Sequence, residues 1–131
     1  ISAIVQSNTT RKDHIAQIKQ KLGISGVLSE ESVWYTHGDS ELGISGAQID
    51  LLIERRDQII NLCEMKYSLD EFIIDKSYDA GIRNRLAIFR RCTNTKKSLQ
   101  ITFITSYGVR PNKYSNIVQS QVVLDDLFTG R

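Results

Sequence analysis

Two carboxylates and a lysine stand out by their spacing. Asp50 lies in the apolar run Ala47 to Glu54; Glu64 and Lys66 lie in a second run ending at Tyr67, and Arg56, Asp57 and Gln58 fall between. Two such runs joined by a short polar turn read as a β-hairpin. With the turn centred on Asp57, Asp50 faces Glu64 and Gln48 faces Lys66. Directly opposed residues point to the same side of a sheet, with Cβ atoms about 4.5–5.5 Å apart, and like charges so placed repel. A shared proton, the Lys66 ammonium or a divalent cation would offset that repulsion. Mg²⁺ takes one or two carboxylates and keeps several waters. It can polarise a phosphoryl oxygen and acidify a bound water. Lys66 would then orient that water or stabilise charge developing on phosphate, and the backbone carbonyl of Met65 is an additional candidate ligand.

The same register divides the hairpin into two faces. Ala47, Ile49, Leu51, Ile53, Ile59, Asn61, Cys63, Met65 and Tyr67 form an almost wholly apolar side that belongs against a helix. Gln48, Asp50, Glu64, Lys66 and Ser68 occupy the open end of the other side, with Leu52, Ile60 and Leu62 nearer the turn. A slip of one residue would mix the faces. From spacing alone, a solvated sheet face with a surface ion pair, contributing about 0–1 kcal/mol, accounts for these residues equally well.

The elements that must position the hairpin follow from periodicity. Asp13 can cap a helix from His14 to Leu22, where Ile15, Ile18 and Leu22 recur at helical spacing and Gly23 supplies a stop. Ile1 to Arg11 is polar and weakly patterned. Val33, Trp34 and Tyr35 favour a strand over Ser32 to His37, followed by a loop to Gly46. Asp75 can cap a longer helix to about Arg91 with an apolar stripe of Tyr78, Ile82, Leu86 and Phe89. Leu99 to Thr105 alternates as a strand, Gln119 to Leu124 is a last strand, and Asp125 to Phe128 can form a closing turn. The order predicts one domain over residues 1–131, an α/β fold with a mixed sheet flanked by helices.

Other residues carry weaker signals. Lys76, Arg83 and Arg90 recur at seven-residue spacing on the second helix, with Arg85 beside them. They could follow a phosphate backbone, or form the solvent face of an amphipathic helix. Tyr78 reads as a core residue rather than a base-stacking platform. His37, Asp39 and Glu41 fit no metal-binding spacing, and His14 reads as a packing or capping residue. No Gly-x-Ser-x-Gly elbow, dinucleotide fingerprint or Cys-x-x-Cys pair occurs.

The string Gly46-Ala47-Gln48-Ile49-Asp50-Leu51-Leu52-Ile53, followed by Cys63-Glu64-Met65-Lys66, resembles the core of PD-(D/E)xK nucleases. With Gln17-Ile18-Lys19, Arg83-Asn84-Arg85 and Leu124-Asp125-Asp126-Leu127-Phe128, it resembles the C-terminal domain of certain bacterial and archaeal AAA-type ATPases. The resemblance implies a restriction-endonuclease-like fold with Asp50, Glu64 and Lys66 as catalytic residues and Asp50, Glu64 and Met65 around Mg²⁺ or Mn²⁺. It also implies DNA as partner and an upstream ATPase module, of which this chain would be the C-terminal piece. Many members add an acid from the first helix; here that helix offers Asp13 at its start, with Gln17 and Gln20 inside.

Composition sets the outer bounds. The 131 residues are 40% hydrophobic and 24% charged, ordinary for a globular domain. Net charge is +2 and the pI about 8.6, which permits contact with nucleic acid without demanding it. No run is long enough for a membrane span and no signal-peptide pattern opens the chain, so the expected location is cytoplasmic. Cys63 and Cys92 make neither a disulfide framework nor a zinc site. Three readings follow: a metal-dependent DNA endonuclease, a nuclease-fold module that docks DNA without cutting, or a structural domain that self-associates as a homodimer.

Overall fold

The computed structural model describes residues 3–7, 12–41, 43 and 46–124, with side chains from 14 onward. Six strands form one sheet in the sequential order β1 (Ala3–Ser7), β2 (Ser29–Thr36), β3 (Ala47–Arg55), β4 (Ile59–Lys66), β5 (Ser98–Thr105) and β6 (Ser120–Val123). The first four run antiparallel, and β5 and β6 continue parallel to β4. Helix α1 (Lys12–Lys21) joins β1 to β2, and helix α2 (Lys76–Thr93) makes the crossover from β4 to β5 that a parallel pair requires. The architecture is a mixed sheet with helices on both faces, restriction-endonuclease-like, as expected.

Each helix seals one face. Ile15 and Ile18 of α1 pack with Ile24, Leu51, Ile53, Cys63, Ile104 and Val122. Ile82, Ile88 and Phe89 of α2 pack with Trp34, Ile49, Leu52, Ile60, Leu62, Ile101 and Phe103, where Trp34 meets Phe89 edge-on with ring centroids 5.0 Å apart. Residues Ile101 to Thr105 of β5 are all buried, as parallel strands covered on both sides are. The face expected to carry exposed polar groups is therefore covered by α2.

The hairpin register is the one the turn implied: Leu51 pairs with Cys63, Leu52 with Leu62, Ile53 with Asn61 and Glu54 with Ile60. Three residues close the turn, the last of them Gln58 at φ 71°, the left-handed position that a three-residue hairpin loop needs. The expected facing of β3 requires correction at its other end. Ser32 pairs with Leu52 but Trp34 with Ile49, so Asp50 and Leu51 together oppose Val33. That β-bulge inserts one residue and reverses the alternation. Ala47 and Ile49 consequently belong to the α2 side, apart from Leu51 and Ile53 on the α1 side.

Other boundaries differ for local reasons. The N-terminal segment, expected to be weakly patterned, contains β1, a five-residue strand held by pairing with β2. Strand β2 begins earlier than its apolar residues suggest, because Ser29, Glu30 and Glu31 pair with the turn end of β3. Helix α1 starts at Lys12, so Asp13 falls within its first turn, and the Asp13 side chain lies outside the described residues. Asp75 caps α2 as expected: its carboxylate accepts the Tyr78 N–H at 2.7 Å. The closing turn expected at Asp125–Phe128 lies outside the described residues.

Candidate functional site

Beyond the Leu51–Cys63 pair, β3 and β4 part. Residues Ala47 to Ile49 stay with β2, while Glu64 to Lys66 stay with β5. The bulge produces this divergence by bending β3 where Asp50 sits. The expected direct opposition of Asp50 and Glu64 on one face is thus corrected: they are not a ladder pair, Asp50 shares its side of β3 with Gln48, away from Ala47 and Ile49, and Glu64 turns to α2. Asp50 is half-buried and its Oδ1 receives the Gln48 amide at 3.5 Å. Its charge reaches the β4 residues: it raises the pKa of Glu64 and of Cys63.

Glu64 is only 6% exposed. Helix α2 supplies its partners: Arg85 forms an ion pair with Oε1, and the Tyr78 hydroxyl donates to the same oxygen at 3.4 Å. Both hydrogen bonds to the Glu64 side chain go to Oε1. Burial pushes the Glu64 carboxyl above the ordinary glutamate value; Arg85 and Lys66 oppose that rise and Asp50 adds to it. Burial, reinforced by Glu64, likewise raises the Tyr78 hydroxyl. Burial raises the Cys63 thiol too, leaving it an unreactive core group.

Lys66, two residues along β4, places its ammonium 5.3 Å from the Tyr78 ring centroid, and the Arg85 guanidinium carbon is 5.8 Å from the same ring. Tyr78 thus lies against both cations and the carboxylate. The Met65 side chain packs into the α1-side core, so only its backbone could face the opening. A cavity of about 10 Å³ lies between Glu64, Arg85 and the apolar side chains of Ile49, Leu62, Ile82, Leu86 and Ile101, close to the volume of one water-sized probe.

The four basic residues of α2 separate. Lys76 is exposed at the helix start. Arg83 is exposed and pairs with Asp79 at 3.1 Å. Arg90 donates to the carbonyls of Thr95 and Lys97 at 3.0 and 2.9 Å, closing the turn after the helix. Arg85 turns inward to Glu64. Sequence reasoning missed this inward arginine and the contact of Tyr78 with the carboxylate. A signal existed: Arg85 sits between Ile82 and Leu86 on the apolar stripe, where a cation needs a buried partner.

In the loop before β3, His37 packs edge-on against Tyr35 at 5.5 Å and Asp39 accepts the Glu41 N–H at 2.9 Å. Among the described residues no group of three or more His, Cys, Asp or Glu could hold a metal. The carboxylates of Asp50 and Glu64 are donors of the kind a hard divalent cation takes, and they leave their strands on different sides.

No family model matches the chain and no curated protein matches it. A solved structure described as a protein of unknown function, AF1548, is similar at a TM-score of 0.56 and 15% identity. The likeness covers 94% of this chain and 66% of that one, and at this identity it concerns the fold. No helix among the described residues is long and apolar enough to cross a membrane. The chain has a nuclease-like α/β fold with a buried, ion-paired glutamate where two central strands separate.

Proposed function

We propose that this domain acts on DNA phosphodiester bonds, with Mg²⁺ or Mn²⁺ held by Asp50 and Glu64 and Lys66 beside them, in a chain that carries an AAA-type ATPase upstream. The observation that carries this reading is the parting of β3 and β4 between Asp50 and Glu64, with Lys66 two residues further along the same strand. When bound, a divalent cation lowers the pKa of its water and draws charge from the phosphoryl oxygen. Glu64 and Asp50 would supply anionic oxygens from either side of the parted strands, and the Met65 carbonyl would be a further donor on β4. The Lys66 ammonium, resting on the Tyr78 face, offers positive charge to phosphate oxygens as negative charge grows there. The exposed Lys76, Arg83 and Arg90 would contact the phosphate backbone on either side, a sequence-independent attraction that weakens with salt.

The Arg85–Glu64 ion pair favours a second reading, in which the carboxylate is permanently neutralised and the fold docks DNA without cutting it. Supercoiled plasmid incubated with the protein and Mg²⁺ or Mn²⁺ separates the two. Cleavage predicts metal-dependent nicking that falls at least about 100-fold in Glu64→Gln and in Lys66→Ala, the range typical for loss of a charge-stabilising group. Plasmid that is retarded on a gel but stays supercoiled under every metal condition contradicts cleavage and leaves the docking module.

A further inference from the structure

Of the five large apolar side chains exposed among the described residues, four lie in the two loops that leave the carboxyl ends of β4 and β5: Tyr67, Leu69, Ile73 and Tyr107. The loops are tied to one another. The Ser68 N–H donates to Ser106 Oγ at 3.1 Å, the Phe72 N–H to the Gly108 carbonyl at 2.9 Å and the Arg110 N–H to the Phe72 carbonyl at 2.9 Å. Leu69 projects from them fully, 99% exposed. Tyr67 also borders a cavity of about 200 Å³ beside α1, lined by Ile15, Ile18, Leu51 and Ile104. An apolar cavity of about 150 Å³ holds a benzene ring, so this one has room for an isobutyl group. Leu69 lies two residues from Tyr67, within about 7 Å along the chain. A projecting apolar side chain and an apolar recess therefore adjoin, in the kind of exposed apolar patch that marks a binding surface.

We propose that a second copy of this chain docks here, across a two-fold axis that seats the Leu69 side chain of each copy in the α1-side cavity of the other. A two-fold contact uses the same patch on both subunits, so the patch must be complementary to itself. This one supplies both the knob and the recess. Its charges meet the same requirement. Asp70 and Glu71 stand on the first loop and Arg110 on the second, and all three reach solvent. With both signs present, acid can meet base across the axis, whereas a patch of one sign would repel its own copy. Nucleic acid fits the same surface less well. Residues 67–75 hold three acids and no base, and residues 106–113 hold two bases and no acid, which leaves −1. Phosphate contact is instead driven by lysine and arginine in excess. The inference uses neither Asp50 nor Glu64 and stands apart from the cleavage reading.

Sedimentation equilibrium of the 131-residue chain tests this, with Leu69→Asp, Leu69→Met and Ile15→Phe beside the parent. The parent's weight-average mass should rise from 14.9 kDa toward twice that value across about 1–500 μM, a range that reports dissociation constants of micromolar order. Leu69→Asp should raise the dissociation constant at least about 100-fold, because the two-fold counts each substitution twice. Leu69→Met, of similar volume and flexible, should stay close to the parent. Ile15→Phe fills the recess from within and should weaken the dimer at least about tenfold. Leu69 is wholly exposed, so Leu69→Asp keeps its fold and decides the matter if Ile15→Phe does not. A parent that stays at 14.9 kDa at every concentration overturns the proposal. So does a dimer whose dissociation constant is unchanged in Leu69→Asp or in folded Ile15→Phe. A monomeric parent whose retention of plasmid weakens in Tyr107→Ala also overturns it and assigns the surface to nucleic acid.

Discussion

Glu64 carries a carboxyl group at a position almost closed to water, and its neighbours decide what that charge does. Burial favours the protonated acid, and Arg85 and Lys66 recover only part of the lost hydration. Because the folded pKa lies above the unfolded one, the native state holds the proton more tightly. Stability contributed by this group is full below the ordinary glutamate pKa and declines as pH rises from there through the raised value. Glu64→Gln cannot titrate and loses this component. Urea midpoints of parent and variant, measured across that window, should therefore draw apart in the variant's favour as pH increases; a constant or opposite difference contradicts the assignment. Glu64 and Lys66 were legible as neighbours on one face of β4 because they stand two residues apart on a strand. Their partners were not. Arg85 and Tyr78 come from a helix far along the chain, and only the packing of α2 on β4 brings them to the carboxylate.

At the scale of elements, the hairpin and helix α2 were the most readable parts. The turn at Asp57 and the alternation of Leu51 to Ile53 against Asn61 to Cys63 specify one register. The same rule fails at Asp50, where an extra residue enters β3 and period-two reasoning carried past it puts Ile49 on the wrong face. A bulge leaves no mark in a run that is apolar at Ile49, Leu51, Leu52 and Ile53 alike. Helix α2 has a start and a stop signal in the sequence: Asp75 satisfies the Tyr78 N–H, and Asn94 accepts the left-handed conformation at φ 52°. Asp75→Ala should lower stability by about 1 kcal/mol, read as a shift in the chemical denaturation midpoint with the slope unchanged. A variant as stable as the parent would mean that the first turn of α2 is held by packing of Tyr78 and Phe72 and not by its cap.

For the whole molecule, the class of fold followed from the alternation of strand and helix patterns, whereas the covering of both sheet faces did not. Leu52, Ile60 and Leu62 looked like a minor apolar strip beside polar residues; they are the floor of the α2-side core. Strand β1 was hard to see because it is a short edge strand of five residues that exists by pairing with β2. The arrangement that results places the site at the seam of two sheet halves. Strand β3 of the antiparallel segment carries Asp50 at its bulge, and the parallel β4–β6 segment carries Glu64 and Lys66 beyond the last β3–β4 pair. Everything proposed for function depends on that seam admitting a cation. Crystals grown with Mn²⁺ and measured near the manganese absorption edge address it directly. The account predicts an anomalous peak within coordination distance, about 2.0–2.2 Å, of carboxylate oxygens from both Asp50 and Glu64. No peak within that distance of both carboxylates, with Arg85 still on Glu64, would contradict it.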